Sequence, residues 1–235
     1  MFPLRDRNPT RRNPHITWVI VVLNLAAWFL LQGYGQGASL AASLCHYALI
    51  PGELLGLLPG NATIEVGPET QCLLDGGGTW YTPVSSMFMH GGWFHLLGNM
   101  WFLWVFGDNV EDAMSRGRFV VFYLLCGLAA AAAQVVTDPD SAIPMVGASG
   151  AIGGVMGAYA RLHPRQKVDT LLILGFYVTT ASVPAYLMLG YWFVLQVVGG
   201  LPSLASAGGG VAFWAHIGGF LMGLLTVGWF RTSRR

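Results

Sequence analysis

Residues 119–136 read FVVFYLLCGLAAAAAQVV, a run without a single Asp, Glu, Lys or Arg. As a helix it rises about 27 Å at ~1.5 Å per residue, close to the ~30 Å hydrocarbon core of a bilayer. Further apolar segments lie at 16–31, 87–106, 146–162, 184–198 and 211–230. A span takes roughly 17–25 mostly apolar residues, so the segments at 16–31 and 184–198 must borrow flanking residues to cross. The sequence predicts an all-α integral membrane protein built as a bundle of six transmembrane helices.

Composition points the same way. Of the 235 residues 54% are hydrophobic and only 10% charged, against about 25% charged in a typical soluble domain. The first apolar segment has no obvious small-residue cleavage site behind it, apart from Gly37-Ala38-Ser39, and reads as a retained helix rather than a signal peptide.

The net charge of +1 says little about partners, whereas the placement of the charges says a great deal. Arg5, Arg7, Arg11 and Arg12 precede helix 1, and Arg116 and Arg118 separate helices 2 and 3. Arg161, Arg165 and Lys167 stand between helices 4 and 5; Arg231, Arg234 and Arg235 follow helix 6. With six crossings all of these fall on one side, which the positive-inside rule makes the cytoplasm. Both termini are then cytoplasmic, and segments 37–86, 137–145 and 199–210 face outward.

The expected organisation is a cytoplasmic N-terminal tail over 1–15, a six-helix membrane domain over 16–230, and a basic cytoplasmic tail over 231–235. The outer loop 37–86 carries apolar runs at 54–58 and 80–84, and Trp80 and Tyr81 suit an interfacial depth. Segment 171–180 is apolar and precedes Pro184, a residue suited to a helix start; it reads as an interfacial lead into helix 5. Cys45 and Cys72 share the outer loop and are read as unpaired thiols, with a disulfide as the alternative in an oxidising compartment. Asn61-Ala62-Thr63 matches a glycosylation sequon.

No carboxylate falls inside any of the six segments, which excludes a membrane aspartyl protease and weakens proton-coupled transport, whose relays use such groups. The His-Glu-x-x-His zinc signature is missing. His90 and His95, read on one helix, would sit about 140° apart, off a common metal-binding face. What remains is a small polar set: His90, His95 and Asn99 in helix 2, Ser149 opening helix 4, and His216 in helix 6. Helices 2, 4 and 6 all run from outside inward, and each carries its polar group in its first half. All three therefore place chemistry at a similar depth in the outer leaflet.

Packing brings the set together. Gly150-x-x-x-Gly154 and Gly153-x-x-x-Gly157 in helix 4, and Gly219-x-x-x-Gly223 in helix 6, let helix backbones approach closely. Ser149 then comes within reach of His216 as a general base. His95 and Asn99, spaced i, i+4, project from one face of helix 2. With the free N–H groups opening helix 4, they are candidate oxyanion donors. Asn24, Gln134 and Gln196 are read as packing or hydrogen-bonding residues, and His15, His46 and His163 as solvated.

The stretches His90-Gly-Gly-Trp-Phe-His95-Leu-Leu-Gly-Asn99, Gly147-Ala148-Ser149-Gly150 and Ala215-His216-Ile217-Gly218-Gly219 resemble the rhomboid intramembrane serine proteases of the bacterial six-helix type. The resemblance runs over roughly residues 16–230. It implies a Ser149 nucleophile, a His216 base without a third carboxylate, and an oxyanion hole of His95, Asn99 and the Ser149 N–H. His90, Gly147 and Gly150 lie beside that site. It further implies a multi-pass protein of the cell membrane, with membrane lipid and single-pass transmembrane substrates as partners, cut near the outer face. Helix 5 and the outer loop would flank substrate entry. No metal, other cofactor or nucleic acid is implied.

Two positions depart from the family pattern. Gly153 stands where many members carry an aromatic residue that stacks on the catalytic histidine, and Tyr81-Thr82 replaces a Trp-Arg pair in the outer loop. The competing readings are a non-catalytic rhomboid relative that binds membrane proteins, and a small channel or transporter using the polar cluster as its pathway.

Overall fold

A computed structural model of the chain describes residues 1–66, 71–74, 79–204 and 211–232. Arg234 and Arg235, and parts of the outer segments 37–86 and 199–210, lie outside the described residues. In chain order the elements are β1 (Phe2–Asp6), α1 (His15–Leu30), α2 (Gly37–Tyr47), α3 (Pro51–Leu54), β2 (Thr63–Glu65), β3 (Gln71–Leu73), α4 (Thr82–Ser85), α5 (Trp93–Asp112), α6 (Arg116–Thr137), α7 (Ser149–Leu162), β4 (Lys167–Leu174), β5 (Tyr177–Pro184), α8 (Ala185–Gly200) and α9 (Phe213–Phe230). The chain is mostly helical. Of its helices α6 and α9 are long and apolar enough to cross a membrane, while α1 and α8 are apolar but 16 residues each.

The bundle is assembled around α7. Every residue from 150 to 159 is buried, the mark of a helix enclosed on all sides. Such enclosure requires small residues, and the glycines supply them. A Cβ on Gly219 would overlap the Gly150 carbonyl, and one on Gly223 the Gly154 carbonyl, so α7 and α9 touch backbone to backbone. Gly150 and Gly154 also take Ala130 and Cys126 of α6 directly onto their α-carbons. The outward positions of the bundle are also apolar. Leu30, Phe94 and Trp229 are 80% or more exposed, a surface that calls for contact with lipid or protein.

Four local readings are corrected. Residues 87–92 do not belong to the second long helix. Ser86–Phe88 form a single 3₁₀ turn, Gly91-Gly92 interrupt the helix, and α5 starts at Trp93 and runs on to Asp112. Two adjacent glycines lose most from helical ordering, so His90 stands on an extended connection. Segment 1–15 is not a free tail: β1 pairs antiparallel with β4, giving a three-stranded sheet in the order β1-β4-β5. Segment 171–180 belongs to the β4–β5 hairpin of that sheet, rather than lying as a plain interfacial lead. Arg5 and Arg7 hold Asp169 at 2.9 Å each, and Asp6 accepts hydrogen bonds from Asn109 and Tyr159.

The fourth correction concerns the outer loop. Cys45 and Cys72 are joined as a disulfide, not left as free thiols. Further ties pin this segment. The Tyr81 hydroxyl donates to the His46 carbonyl at 3.0 Å, Ser85 donates to the Tyr47 carbonyl at 2.9 Å, and Leu49 bridges Met145 just ahead of α7. At the other end of the bundle the buried Glu111 carboxylate accepts the Ile16 and Thr17 N–H groups and the Thr17 hydroxyl. It thereby satisfies orphan donors in the first turn of α1.

Candidate active site

Ser149 is the first residue of α7 and is half-buried. The chain reaches it through Gly147, whose φ of 124° lies in the region open to glycine. The Gly147 N–H donates to the Ser86 carbonyl at 2.9 Å, which anchors the approach. His216 sits on the first turn of α9, and the close contact of Gly219 with Gly150 sets the spacing between the two helices. The result is a hydrogen bond of 2.8 Å between Ser149 Oγ and His216 Nε2.

The direction of that bond follows from the other side of the imidazole. Gln196 of α8 donates from its side-chain Nε2 to the Trp192 carbonyl one turn back, at 3.2 Å. Its Oε1 is thereby turned toward His216 Nδ1, 2.8 Å away. An amide oxygen only accepts, so Nδ1 must carry the ring proton and Nε2 is left as the acceptor. The serine hydroxyl then donates to the imidazole, the arrangement in which a base can take its proton. The Trp192 ring packs beside His216 with centroids 5.8 Å apart.

The reading of Gln196 as a packing or hydrogen-bonding residue anticipates that it makes hydrogen bonds but does not identify His216 as its partner. Its only sequence signal is the i, i+4 spacing with Trp192 on an otherwise apolar helix.

His95 and Asn99 lie one turn apart on α5. The Gly91 N–H donates to His95 Nδ1 at 3.3 Å, which leaves His95 Nε2 as the protonated nitrogen. That nitrogen faces the Gly147–Ser149 backbone: a Cβ on Gly147 would sit 2.6 Å from it. Asn99 is 7% exposed, and its buried Nδ2 has no acceptor among the described residues. Both side chains, with Ser149, His216 and Trp192, line a cavity of about 530 Å³. An N–H donor facing such a space is placed to meet a negative charge that develops there.

His90 does not join the cavity lining. It is fully buried behind His95, their rings edge to face at 5.1 Å, and Gln32 clamps its backbone through two bonds of 2.8 Å. Gln32 escaped the sequence reading. Gly150 contributes packing, through Ala130 and α9. Among the described residues no three His, Cys, Asp or Glu side chains gather as a metal-binding group.

The Rhomboid domain model matches residues 77–233, a stretch that contains Ser149, His216, His95, Asn99 and Trp192. The chain is 26% identical over 183 residues to Rhomboid protease GluP of Bacillus subtilis (strain 168), covering 78% of this chain and 31% of that protein. It is 29% identical over 160 residues to RHOMBOID-like protein 5 of Arabidopsis thaliana, covering 68% and 46%. It is 29% identical over 153 residues to Rhomboid protein 1, mitochondrial, of Saccharomyces cerevisiae (strain ATCC 204508 / S288c), covering 63% and 40%. The chain thus spans less than half the length of each of these relatives.

Proposed function

The chain belongs to the rhomboid family, and on that premise we propose that it is an intramembrane serine endopeptidase working through Ser149 and His216. The 2.8 Å bond between Ser149 Oγ and His216 Nε2, at the wall of a cavity lined by uncommitted donors, carries this reading. Ser149 Oγ attacks the scissile carbonyl carbon while its proton passes to His216 Nε2. The oxyanion is received by His95 Nε2–H, Asn99 Nδ2–H and the Ser149 N–H. His216 then gives its proton to the leaving amine as the C–N bond breaks. Water, deprotonated by the same nitrogen, hydrolyses the acyl-enzyme.

The substrates are single-pass transmembrane proteins cut near the outer face. In this reading α1 and α5–α9 are six membrane spans of a multi-pass protein of the cell membrane, with both termini in the cytoplasm. The confinement of all Lys and Arg to segments on one side supports that orientation. It also puts Ser149 and His216, each on the first turn of an inward-running helix, in the outer leaflet. The β1-β4-β5 sheet and its Arg–Asp169 pairs fall on the cytoplasmic side.

A fluorophosphonate serine probe tests the proposal on the detergent-solubilised protein. Labelling of wild type that is lost in both Ser149→Ala and His216→Ala is the expected result. Undiminished labelling of Ser149→Ala would overturn the assignment. A folded wild type that resists the probe and leaves transmembrane substrates uncut would instead favour a rhomboid relative that binds membrane proteins without cutting them.

A further inference from the structure

We infer that Gln196, with Trp192 one turn before it, positions His216, so that the alignment of the base is set from α8. The inference rests on the protease reading and adds to it a group outside the three family-like stretches. Gln196 is 8% exposed and its carboxamide is committed on both ends, to the Trp192 carbonyl and to His216 Nδ1. Reversing the amide would put two N–H donors against the imidazole and leave the Trp192 carbonyl facing an oxygen. The orientation is therefore locked by its own helix, and with it the imidazole tautomer.

Trp192 covers the flank of the ring that Gly153 leaves bare. A Cβ on Gly153 would lie 3.1 Å from the His216 carbonyl and 3.8 Å from the Trp192 indole. The indole thus occupies the volume into which a larger residue at 153 would project. The two departures from a plain Ser–His pair, a neutral amide in place of a carboxylate and an indole arriving from α8, act on one ring. A neutral acceptor holds Nδ1–H without the full charge stabilisation that a carboxylate would give the imidazolium.

The experiment uses the full-length protein in detergent, ¹⁵N-labelled at histidine, with the His216 signals identified by their loss in His216→Ala. Wild type and Ser149→Ala should both show His216 protonated at Nδ1. Gln196→Met removes the acceptor at similar volume and should shift the ring toward the Nε2–H form. It should also slow fluorophosphonate labelling by about 10- to 100-fold. Gln196→Glu restores an acceptor. It should keep the Nδ1–H form, recover labelling to within about 3-fold of wild type, and move the acid limb of its pH profile upward, because a nearby negative charge favours the imidazolium.

A purely structural role for Gln196 would lower thermal stability and leave the tautomer alone. Gln196→Met that keeps the wild-type tautomer and labelling rate overturns the inference. The tautomer is read in Ser149→Ala without any turnover. An unreactive wild type would thus sink the protease reading while the imidazole signals still decide the role of Gln196.

Discussion

The α-carbon of Gly223 lies against the carbonyl oxygen of Gly154, with no room for a methyl group between them. The same relation repeats one turn earlier between Gly219 and Gly150. Both partners are backbone, so neither can swing aside. Gly223→Ala must push α9 off α7, and the overpacking should cost about 1–3 kcal/mol. The Ser149–His216 bond depends on that spacing, so probe labelling should fall at least ~10-fold. Thermal unfolding in detergent and labelling rates check both parts; an unshifted midpoint would contradict the contact.

Asn99→Ala should behave in the opposite way. Its Nδ2 has no acceptor among the described residues, so removing it forfeits no native bond from that nitrogen. Stability should hold or rise slightly, while turnover of a transmembrane substrate falls about 10²- to 10³-fold, the usual loss for one oxyanion donor. Single-turnover kinetics beside a thermal melt separate the two. A parallel fall in stability and rate would make Asn99 a packing residue.

Gly153→Tyr tests whether an aromatic at the family-like position can be restored. The geometry predicts that it cannot, because the ring would enter the space held by Trp192 and the His216 carbonyl. Labelling should fall by more than about 10-fold through off-rotamer strain around the base. Pairing it with Trp192→Ala should return part of the loss, since that change empties the contested volume. A single variant faster than wild type would overturn this account.

The mostly helical character and the candidate residues that meet at the cavity, His95, Asn99, Ser149 and His216, were legible in the sequence for one physical reason. Apolar runs report burial or lipid contact directly, and glycine spacing reports backbone approach within a single helix. Most of what escaped depended on partners distant in the sequence. The β1 strand looks like a charged tail until Asp169, more than 160 positions later, collects Arg5 and Arg7. His90 was assigned to a helix because an apolar count does not register the cost of ordering Gly91-Gly92. The partner of Gln196 was not legible because only the rotation of α8 about its axis decides which side of it faces His216. The Cys45–Cys72 bridge likewise required the outer loop to fold back on α2, which spacing alone does not dictate.

Glu111 illustrates a carboxylate whose value is local. It is buried and takes two backbone N–H groups and the Thr17 hydroxyl at 2.8–3.0 Å. Glu111→Ala leaves those donors without an acceptor at the start of α1, and should destabilise the fold by about 2–3 kcal/mol. Glu111→Gln keeps one acceptor oxygen and should cost less than half of that. Denaturation midpoints of the two variants give the comparison. Equal, negligible losses would mean that α1 needs no cap from α5.

Asp169 supplies the pH dependence on the strand side of the bundle. Hydrogen bonds from Ser182, Arg7 and Arg5 hold its carboxyl well below the usual carboxylate range. A depressed folded-state value means that its contribution is fully present above the unfolded value of ~3.9, and is lost as the pH falls through the folded one. The hold on β1 should accordingly be unchanged from pH 8 to pH 5 and weaken only on further acidification. Leu4 falls at the register shift between Pro3 and Arg5, so a spin label on Leu4→Cys leaves the ladder pairs intact. Its spectrum should stay immobilised down to about pH 4 and sharpen below it. Asp169→Asn should give the mobile spectrum even at neutral pH. A label equally immobile in that variant would show that backbone pairing, not Asp169, retains the strand.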